Sequence, residues 1–267
     1  MSNPTEQDNA ETPDPSPAEL SRVQVLLDKA LSKQEPVVQR HINRLRGNRP
    51  NASPSDIVKR LNAELRAATI GAGVGVGAAA AAPGVGTVAA LAISGGETVA
   101  FINATALYVL SRASVQDLEL RDIEGRRALV MAVMLGDLGS KTVSKFAQRT
   151  GQHWAKSLVK NIPQVKINAI NRVLGRHFVT KYGTKQGILV LGRVIPFGIG
   201  AAIGGAANAV FSQGVIKTAD RAFGPAPDLW SRTASRKLDT FEAEVIEGDI
   251  TTAQTSNDPE PSDPKKA

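Results

Sequence analysis

The chain has 267 residues, enough to bury a sizeable core, and its formal net charge is +7. It contains no cysteine and three histidines, which excludes disulfides, thiolate catalysis and cysteine-ligated zinc. Aromatic residues make up only 4% of the sequence, so small apolar side chains must provide much of the packing.

The charges are strongly segregated along the chain. Residues 1–20 hold five acidic and no basic side chains, and residues 239–267 hold eight acidic against two basic ones. Residues 21–238 therefore carry 30 basic and 12 acidic side chains, a net charge of +18. Polar acidic termini are typical of disorder, and we predict acidic tails at residues 1–17 and 248–267. The first tail lacks the basic and apolar parts of a secretory signal, so we expect an intracellular protein.

The first predicted helix occupies residues 18–50. Its apolar residues recur at helical spacing between Ala18 and Leu45, and the polar run from Gly47 to Pro50 ends it. Ser53 followed by Pro54 is typical of an N-cap and a first helical turn, so the next helix is predicted to begin there.

This second helix leads into a glycine-rich apolar region. Residues 67–96 are uncharged, and Pro83 divides them into two arms, which predicts a helical hairpin that bends at Pro83. Small residues spaced four apart allow two helices to approach closely. The predicted helix-packing residues here are Gly71, Gly73, Gly75 and Gly77.

Two short segments follow the hairpin. The run from Gln116 to Arg127 contains four acidic residues and is predicted to be solvated. Leu129 to Met134 is uninterrupted and apolar, which predicts the buried core of a short helix.

The stretch from Leu138 to Ala219 contains twelve Lys or Arg and no Asp or Glu. Its cations recur at helical spacing, which predicts amphipathic helices with basic faces. Solvated basic faces are common, but an acid-free stretch of 82 residues favours a surface that meets anionic lipid. The predicted membrane- or anion-binding residues are Lys141, Lys145, Arg149, Lys156, Lys160, Arg172, Arg176, Lys181 and Lys185.

Apolar side chains are predicted on the opposite faces of these helices. On the helix that carries Lys141, the apolar face is predicted to contain Leu138, Val143 and Phe146. A further helix is predicted to begin near Pro163. Its apolar face is predicted to contain Ile167, Ile170, Leu174 and Phe178.

A second glycine-rich region, residues 194–216, is also uncharged. Pro196 is predicted to open a helix in which Gly200 and Gly204 form a GxxxG pair, while Gly205 pairs with the alanine four residues before it. We expect a second hairpin packed on the first. Small-residue faces of this kind suit a water-soluble core as well as lipid.

The sequence contains no recognisable catalytic constellation. The glycines from Gly73 to Gly77 resemble a dinucleotide-binding turn, but a helical pattern precedes them. The glycines near Gly200 lack the small residue needed at Ile203, and Gly136 to Thr142 fails the spacing of a phosphate-binding loop. We therefore predict no enzymatic activity, no cofactor and no metal site.

The second half of the chain resembles the EcsC family of helical proteins. The resemblance lies in Asn161-Ile162-Pro163, in the basic helix after it, and in the stretch LGRVIPFGIGAAIGGAAN from Leu191 to Asn208. Residues 71–110 and 129–136 resemble the family's glycine-rich first half. The family is named from a bacterial operon that also encodes an ABC transporter. The resemblance covers about residues 55–224; it implies membrane association, a link to transport or envelope processes, and no established catalytic residues, and it adds Asn208 to the packing residues.

The predicted fold is all-α, with two glycine-rich apolar hairpins and basic amphipathic helices in a domain at residues 51–225, followed by a helical segment at residues 226–247. We expect a non-enzymatic protein that docks on the cytoplasmic face of the cell membrane and binds anionic lipid and a membrane protein. Nucleic acid is not an expected partner, since no helix-turn-helix, zinc-finger or RNP signature accompanies the basic faces. The alternative is a cytoplasmic helical interaction module whose glycine-rich segments form core packing.

Overall fold

The computed structural model describes residues 16–32, 34–47, 51–80, 86–118, 120, 122–147, 153–182 and 199–231. Every regular element within these residues is an α-helix, so the all-α prediction is confirmed. The helices are α1 (Pro17–Ser32), α2 (Gln34–Gly47), α3 (Pro54–Ala80), α4 (Gly86–Val115), α5 (Ile123–Leu135), α6 (Asp137–Ala147), α7 (Trp154–Asn161), α8 (Gln164–Tyr182) and α9 (Ile199–Phe223). The helical residues predicted at 18–50 are thus divided between α1 and α2, and α2 ends at Gly47 as predicted. The two predicted acidic tails, at residues 1–17 and 248–267, lie outside the described residues except for the first residues of α1.

The start of α3 is fixed by local side-chain chemistry. The backbone N–H of Asp56 donates to Ser53 Oγ at 3.2 Å, while the backbone N–H and the hydroxyl of Ser53 donate to Asp56 Oδ2 at 3.2 and 2.8 Å. This reciprocal arrangement is a capping box, and Pro54 supplies a preset φ in the first turn. The hydrogen bonds from Ser53 hold the pKa of Asp56 below its ordinary value. The predicted N-cap is therefore confirmed.

Replacing Ser53 by alanine should lower the free energy of unfolding by about 1 kcal/mol, because the helix loses its N-cap. The same change should raise the pKa of Asp56, since the carboxylate loses its strongest hydrogen bond. Urea denaturation and an NMR titration of Asp56 measure the two effects. Ser55→Ala is the matched control, because Ser55 lies in the same turn without a capping contact in the described structure. Equal losses of stability in both variants would contradict the cap.

Helices α3 and α4 form an antiparallel hairpin. The hydroxyl of Tyr108 donates to Asn62 Oδ1 at 2.8 Å, and the two residues lie nearly equally far from the connection between the helices. Burial raises the pKa of Tyr108 to about 12, so its hydroxyl remains a neutral donor. The first predicted hairpin is confirmed, although its bend at Pro83 lies outside the described residues.

Helix α9 packs along α3 in the opposite direction. Nε and Nη2 of Arg66 donate to Gln213 Oε1 at 3.3 and 3.1 Å, and Trp230 Nε1, beyond α9, donates at 3.0 Å to the carbonyl of Ala52, before α3. This register brings the glycine-rich part of α3 alongside that of α9. The described part of the second glycine-rich region is one continuous helix. Pro196 and the residues before it, where the second predicted hairpin would bend, lie outside the described residues.

Helix α5 is the centre of the fold. It contacts α1, α4, α6, α7, α8 and α9. The residues from Leu129 to Met134 are fully buried, which confirms the prediction for this segment. The polar run before it differs from the prediction, since Leu118 and Arg127 are buried rather than solvated.

Arg127 is buried because carboxylates on α1 and α5 are its partners. Its Nε and Nη2 donate to Asp28 Oδ1 at 2.9 and 2.5 Å, and its Nη1 donates to Glu124 Oε2 at 2.7 Å. Asn171 Nδ2 donates to the same Glu124 oxygen at 2.8 Å. Two carboxylates thus offset the cost of burying the guanidinium, and they join α1, α5 and α8 at one point.

Candidate functional site

The basic helices α6, α7 and α8 are neighbours on the surface of α5. Helix α6 contacts both α7 and α8, and all three contact α5. The predicted cations whose side chains the structure describes are exposed, and none has a carboxylate partner within the described residues. They are Lys141, Lys145, Lys156, Arg172 and Arg176.

The other predicted cations are placed only in part. Lys160 and Lys181 lie in α7 and α8, but their side chains are not among those described. Arg149 and Lys185 lie outside the described residues. Two exposed lysines that were not predicted as site residues, Lys166 on α8 and Lys217 on α9, add to the basic surface.

Helix α6 exposes an apolar residue on the same face as its cations. Leu138 is 43% exposed, and it precedes Lys141 and Lys145 by three and seven residues, which places the three side chains on one stripe. The prediction that Leu138 lies on the apolar face is therefore wrong. Val143 is fully buried, as predicted, and Phe146 is partly buried against the core.

The exposure of Leu138 follows from the tight connection between α5 and α6. Gly136 ends α5 with a φ of 71°, and α6 begins at the next residue. Gly139 then faces α5 so closely that a Cβ there would lie 2.6 Å from the Cα of Ala132. Because Gly139 occupies the contact, Leu138 is turned outward.

Helix α8 repeats this arrangement. Val165 is 81% exposed and precedes Arg172 and Arg176 by seven and eleven residues, so these side chains share one face. The opposite face is buried, as predicted. It consists of Ile167, Ile170, Leu174 and Phe178.

The two carboxylates that bracket the acid-free stretch are engaged by arginines. Arg112 is 1% exposed, donates from Nη1 to Asp220 Oδ1 at 2.9 Å, and places its guanidinium 5.7 Å from the ring centroid of Phe223. Asp137 pairs with Arg221. The two arginines neutralise these carboxylates. Neither carboxylate therefore offsets the positive charge of the residues that lie between them in the sequence.

A cavity of about 490 Å³ lies where α7 begins and α9 ends. Its wall combines side chains from α9 with residues from the segments that precede α7 and follow α9. It is lined by His153, Gln213, Lys217, Asp220, Arg221, Gly224 and Pro225.

His153 has an unusual backbone for a non-glycine residue, with φ 69° and ψ 36° in the left-handed region. Its N–H donates to the carbonyl of Arg221 at 2.9 Å. The imidazole packs on Gly224, which has a φ of 77°, so closely that a Cβ on Gly224 would overlap Nδ1. Nδ1 is buried there and has no hydrogen-bond partner among the described residues, which leaves Nε2 as the ring nitrogen that can reach the cavity.

Of the predicted helix-packing glycines, the structure describes the surroundings of one, Gly71. Gly71 is exposed, and a Cβ there would meet no atom of the described residues within 4 Å, so it makes no close helix contact with them. The others lie within helices whose side chains are not described at those positions. They are Gly73, Gly75 and Gly77 in α3, and Gly200, Gly204, Gly205 and Asn208 in α9.

The structure also explains the sequence features that resemble nucleotide-binding motifs. Gly73 to Gly77 lie inside α3, and Gly136 to Thr142 form the α5–α6 turn and the start of α6. No group of three metal-ligating side chains occurs among the described residues. None of the helices, as far as the structure describes them, combines the length and the apolarity needed to cross a bilayer.

Comparison of the chain with protein-family models, with curated proteins and with solved structures gives no match. The fold, the exposed basic faces and the cavity are therefore the basis on which a function is assigned.

Proposed function

We propose that this protein is a non-enzymatic, membrane-associated helical protein that binds anionic phospholipid through the exposed faces of α6, α7 and α8. The observation that supports this most directly is the state of the charges. Cations on three neighbouring helices are exposed and lack carboxylate partners in the described structure, while the nearest carboxylates in sequence, Asp137 and Asp220, pair with Arg221 and Arg112.

The attraction of the exposed cations to an anionic leaflet is strong enough for docking. Each Lys or Arg close to an anionic leaflet contributes about 1 kcal/mol, so the five exposed cations together contribute about 5 kcal/mol, or a factor of several thousand in partitioning. Leu138 and Val165 lie on the same faces as the cations and can enter the apolar boundary of the bilayer. Electrostatic attraction and shallow apolar insertion thus act on the same helix surfaces.

The glycine-rich ends of α3, α4 and α9 suit partial embedding. The uncharged part of α3, residues 67–80, is about 21 Å long at 1.5 Å per residue, which is shorter than the hydrocarbon core of about 30 Å. Exposed apolar side chains, Ile70 and Val210, lie near each other in the register of α3 and α9. We therefore propose a peripheral or partly embedded protein on the cytoplasmic leaflet, as the resemblance to the EcsC family implies. That resemblance also makes a membrane protein a second expected partner.

Vesicle flotation tests this function. We expect the full chain to float with phosphatidylglycerol-containing vesicles and to remain in the supernatant with pure phosphatidylcholine vesicles. High salt should release it if the cations provide most of the binding, whereas resistance to salt and to carbonate would indicate that the glycine-rich ends are inserted. Equal recovery with both kinds of vesicle, or no flotation at all, would contradict the proposal.

The packing of α3 on α9 favours one alternative, a helical interaction module in which the two glycine-rich regions serve only to pack against each other. Under this alternative, lipid composition should have no effect on the protein, while Gly204→Leu should unfold it in the absence of lipid. The flotation experiment therefore separates the two functions.

A further inference from the structure

We propose that the cavity between the start of α7 and the end of α9 binds the phosphate of a single anionic phospholipid headgroup. This inference rests on the proposed membrane function and adds to it one defined site with a stoichiometry of one lipid per protein. Diffuse attraction to a charged leaflet would require no such site.

The size and the charge of the cavity suit a small anion. Its volume of about 490 Å³ is within the usual range of small-molecule sites, about 300–1,000 Å³. Asp220 and Arg221 both line it, but Arg112 neutralises the first and Asp137 the second. The remaining charge in the wall is that of Lys217, which is exposed and has no carboxylate partner in the described part of the chain.

The side chain of His153, which lines the cavity, supplies a further donor. His153 occupies the N-cap position of α7 but makes no side-chain cap. Its ring is held by Gly224 with Nδ1 covered, so Nε2 is the nitrogen that can contact a ligand in the cavity. A phosphate there would meet Lys217 and His153 Nε2.

The position of the cavity connects it to the basic surface. Helix α9 contacts both α6 and α7, which carry the exposed Lys141, Lys145 and Lys156. A lipid bound in the cavity would therefore belong to the leaflet that these lysines approach. The site would hold one lipid in place while the surrounding cations contact others.

Isothermal titration of the full-length protein with monomeric dihexanoyl-phosphatidylglycerol tests this site. We expect saturable binding of one lipid per chain. Lys217→Gln should weaken it about tenfold or more, because a charge-assisted hydrogen bond is lost. Arg40→Gln is the control: it removes one positive charge from an exposed side chain on α2, which is not among the helices that pack closely against α7 or α9, and it should leave the affinity unchanged. Absence of saturable binding, or equal weakening by both variants, would overturn the proposal.

Two further measurements separate the possible outcomes. One shows whether the cavity binds a lipid phosphate or free phosphate, and the other shows whether a failure concerns the cavity site or the membrane function. Inorganic phosphate that binds the wild type as tightly as the short-chain lipid, with the same dependence on Lys217, would assign the cavity to free phosphate and overturn the lipid assignment. Flotation of the wild type on anionic vesicles without saturable binding of the short-chain lipid would overturn the cavity site alone. Failure of flotation would instead contradict the membrane function itself.

Discussion

Reversing the charges of Lys141 and Lys145 together should weaken binding to phosphatidylglycerol-containing vesicles by about 30- to 1,000-fold. Both side chains are exposed on one stripe of α6, and each lysine near an anionic leaflet contributes about 1 kcal/mol. The double Glu variant loses both attractions and adds repulsion of similar size, a total of about 2 to 4 kcal/mol. Co-sedimentation over a range of lipid concentrations measures the change. Circular dichroism should show an unchanged helix content, because neither side chain is buried.

A variant with the same change in net charge is the control. Arg40 on α2 and Lys59 on α3 are exposed, and neither helix is among those that pack closely against α6 or α7. Arg40→Glu with Lys59→Glu should therefore weaken vesicle binding much less. Equal effects from the two double variants would mean that only net charge matters, and would contradict a docking surface on α6.

Gly139→Ala should destabilise the protein by about 2 to 4 kcal/mol, a large effect for the addition of one methyl group. The new Cβ would lie 2.6 Å from the Cα and 2.7 Å from the carbonyl carbon of Ala132, and it would overlap the carbonyl oxygen. These are backbone atoms of the central helix α5, so no side chain can rotate away and α6 itself must move. Guanidinium chloride denaturation measures the loss of stability.

Gly214→Ala, on a different helix, should have the opposite effect on stability. Gly214 is exposed in α9, and a Cβ there would meet no atom of the described part of the chain within 4 Å. Alanine should therefore stabilise the protein by about 0.5 to 1 kcal/mol, because it restricts the unfolded chain without a clash. If both glycine variants changed stability by the same amount, the close contact of Gly139 with α5 would be contradicted.

The features that the sequence predicted well depend on nearby residues. Ser53 and Pro54 fix the start of α3 through bonds that span three residues, and the apolar stripe of α8 follows directly from helical spacing. The exposure of the cations on α6 and α8 follows from the same spacing. Gly139 shows what nearby residues do not reveal. The turn that contains it resembles a phosphate-binding loop, yet in the structure this glycine allows α6 to pack closely on α5.

The features that the sequence could not predict depend on distant partners. Arg112 and Arg127 look like solvated residues, but each is buried against a carboxylate that lies 108 or 99 residues away. The cavity likewise combines His153 with Lys217 and Gly224, which are distant in the sequence. The left-handed backbone of His153 could not be predicted either, because no glycine or asparagine stands at that position. Such pairings arise only when the chain has folded.

Helix α9 connects the two regions to which we assign a function, the glycine-rich ends and the cavity. Its 25 residues extend about 37 Å without a break, with the glycine-rich part at one end and the wall of the cavity at the other. Near the cavity, Asp220 forms an ion pair with a residue of α4 and Arg221 forms one with a residue of α6, so two adjacent residues anchor this end of α9 on two sides. The end of α9 beside the cavity is therefore held on two sides. If the glycine-rich end enters a bilayer, as proposed, a tilt of that end would strain the two ion pairs and deform the cavity, which would couple insertion depth to cavity shape.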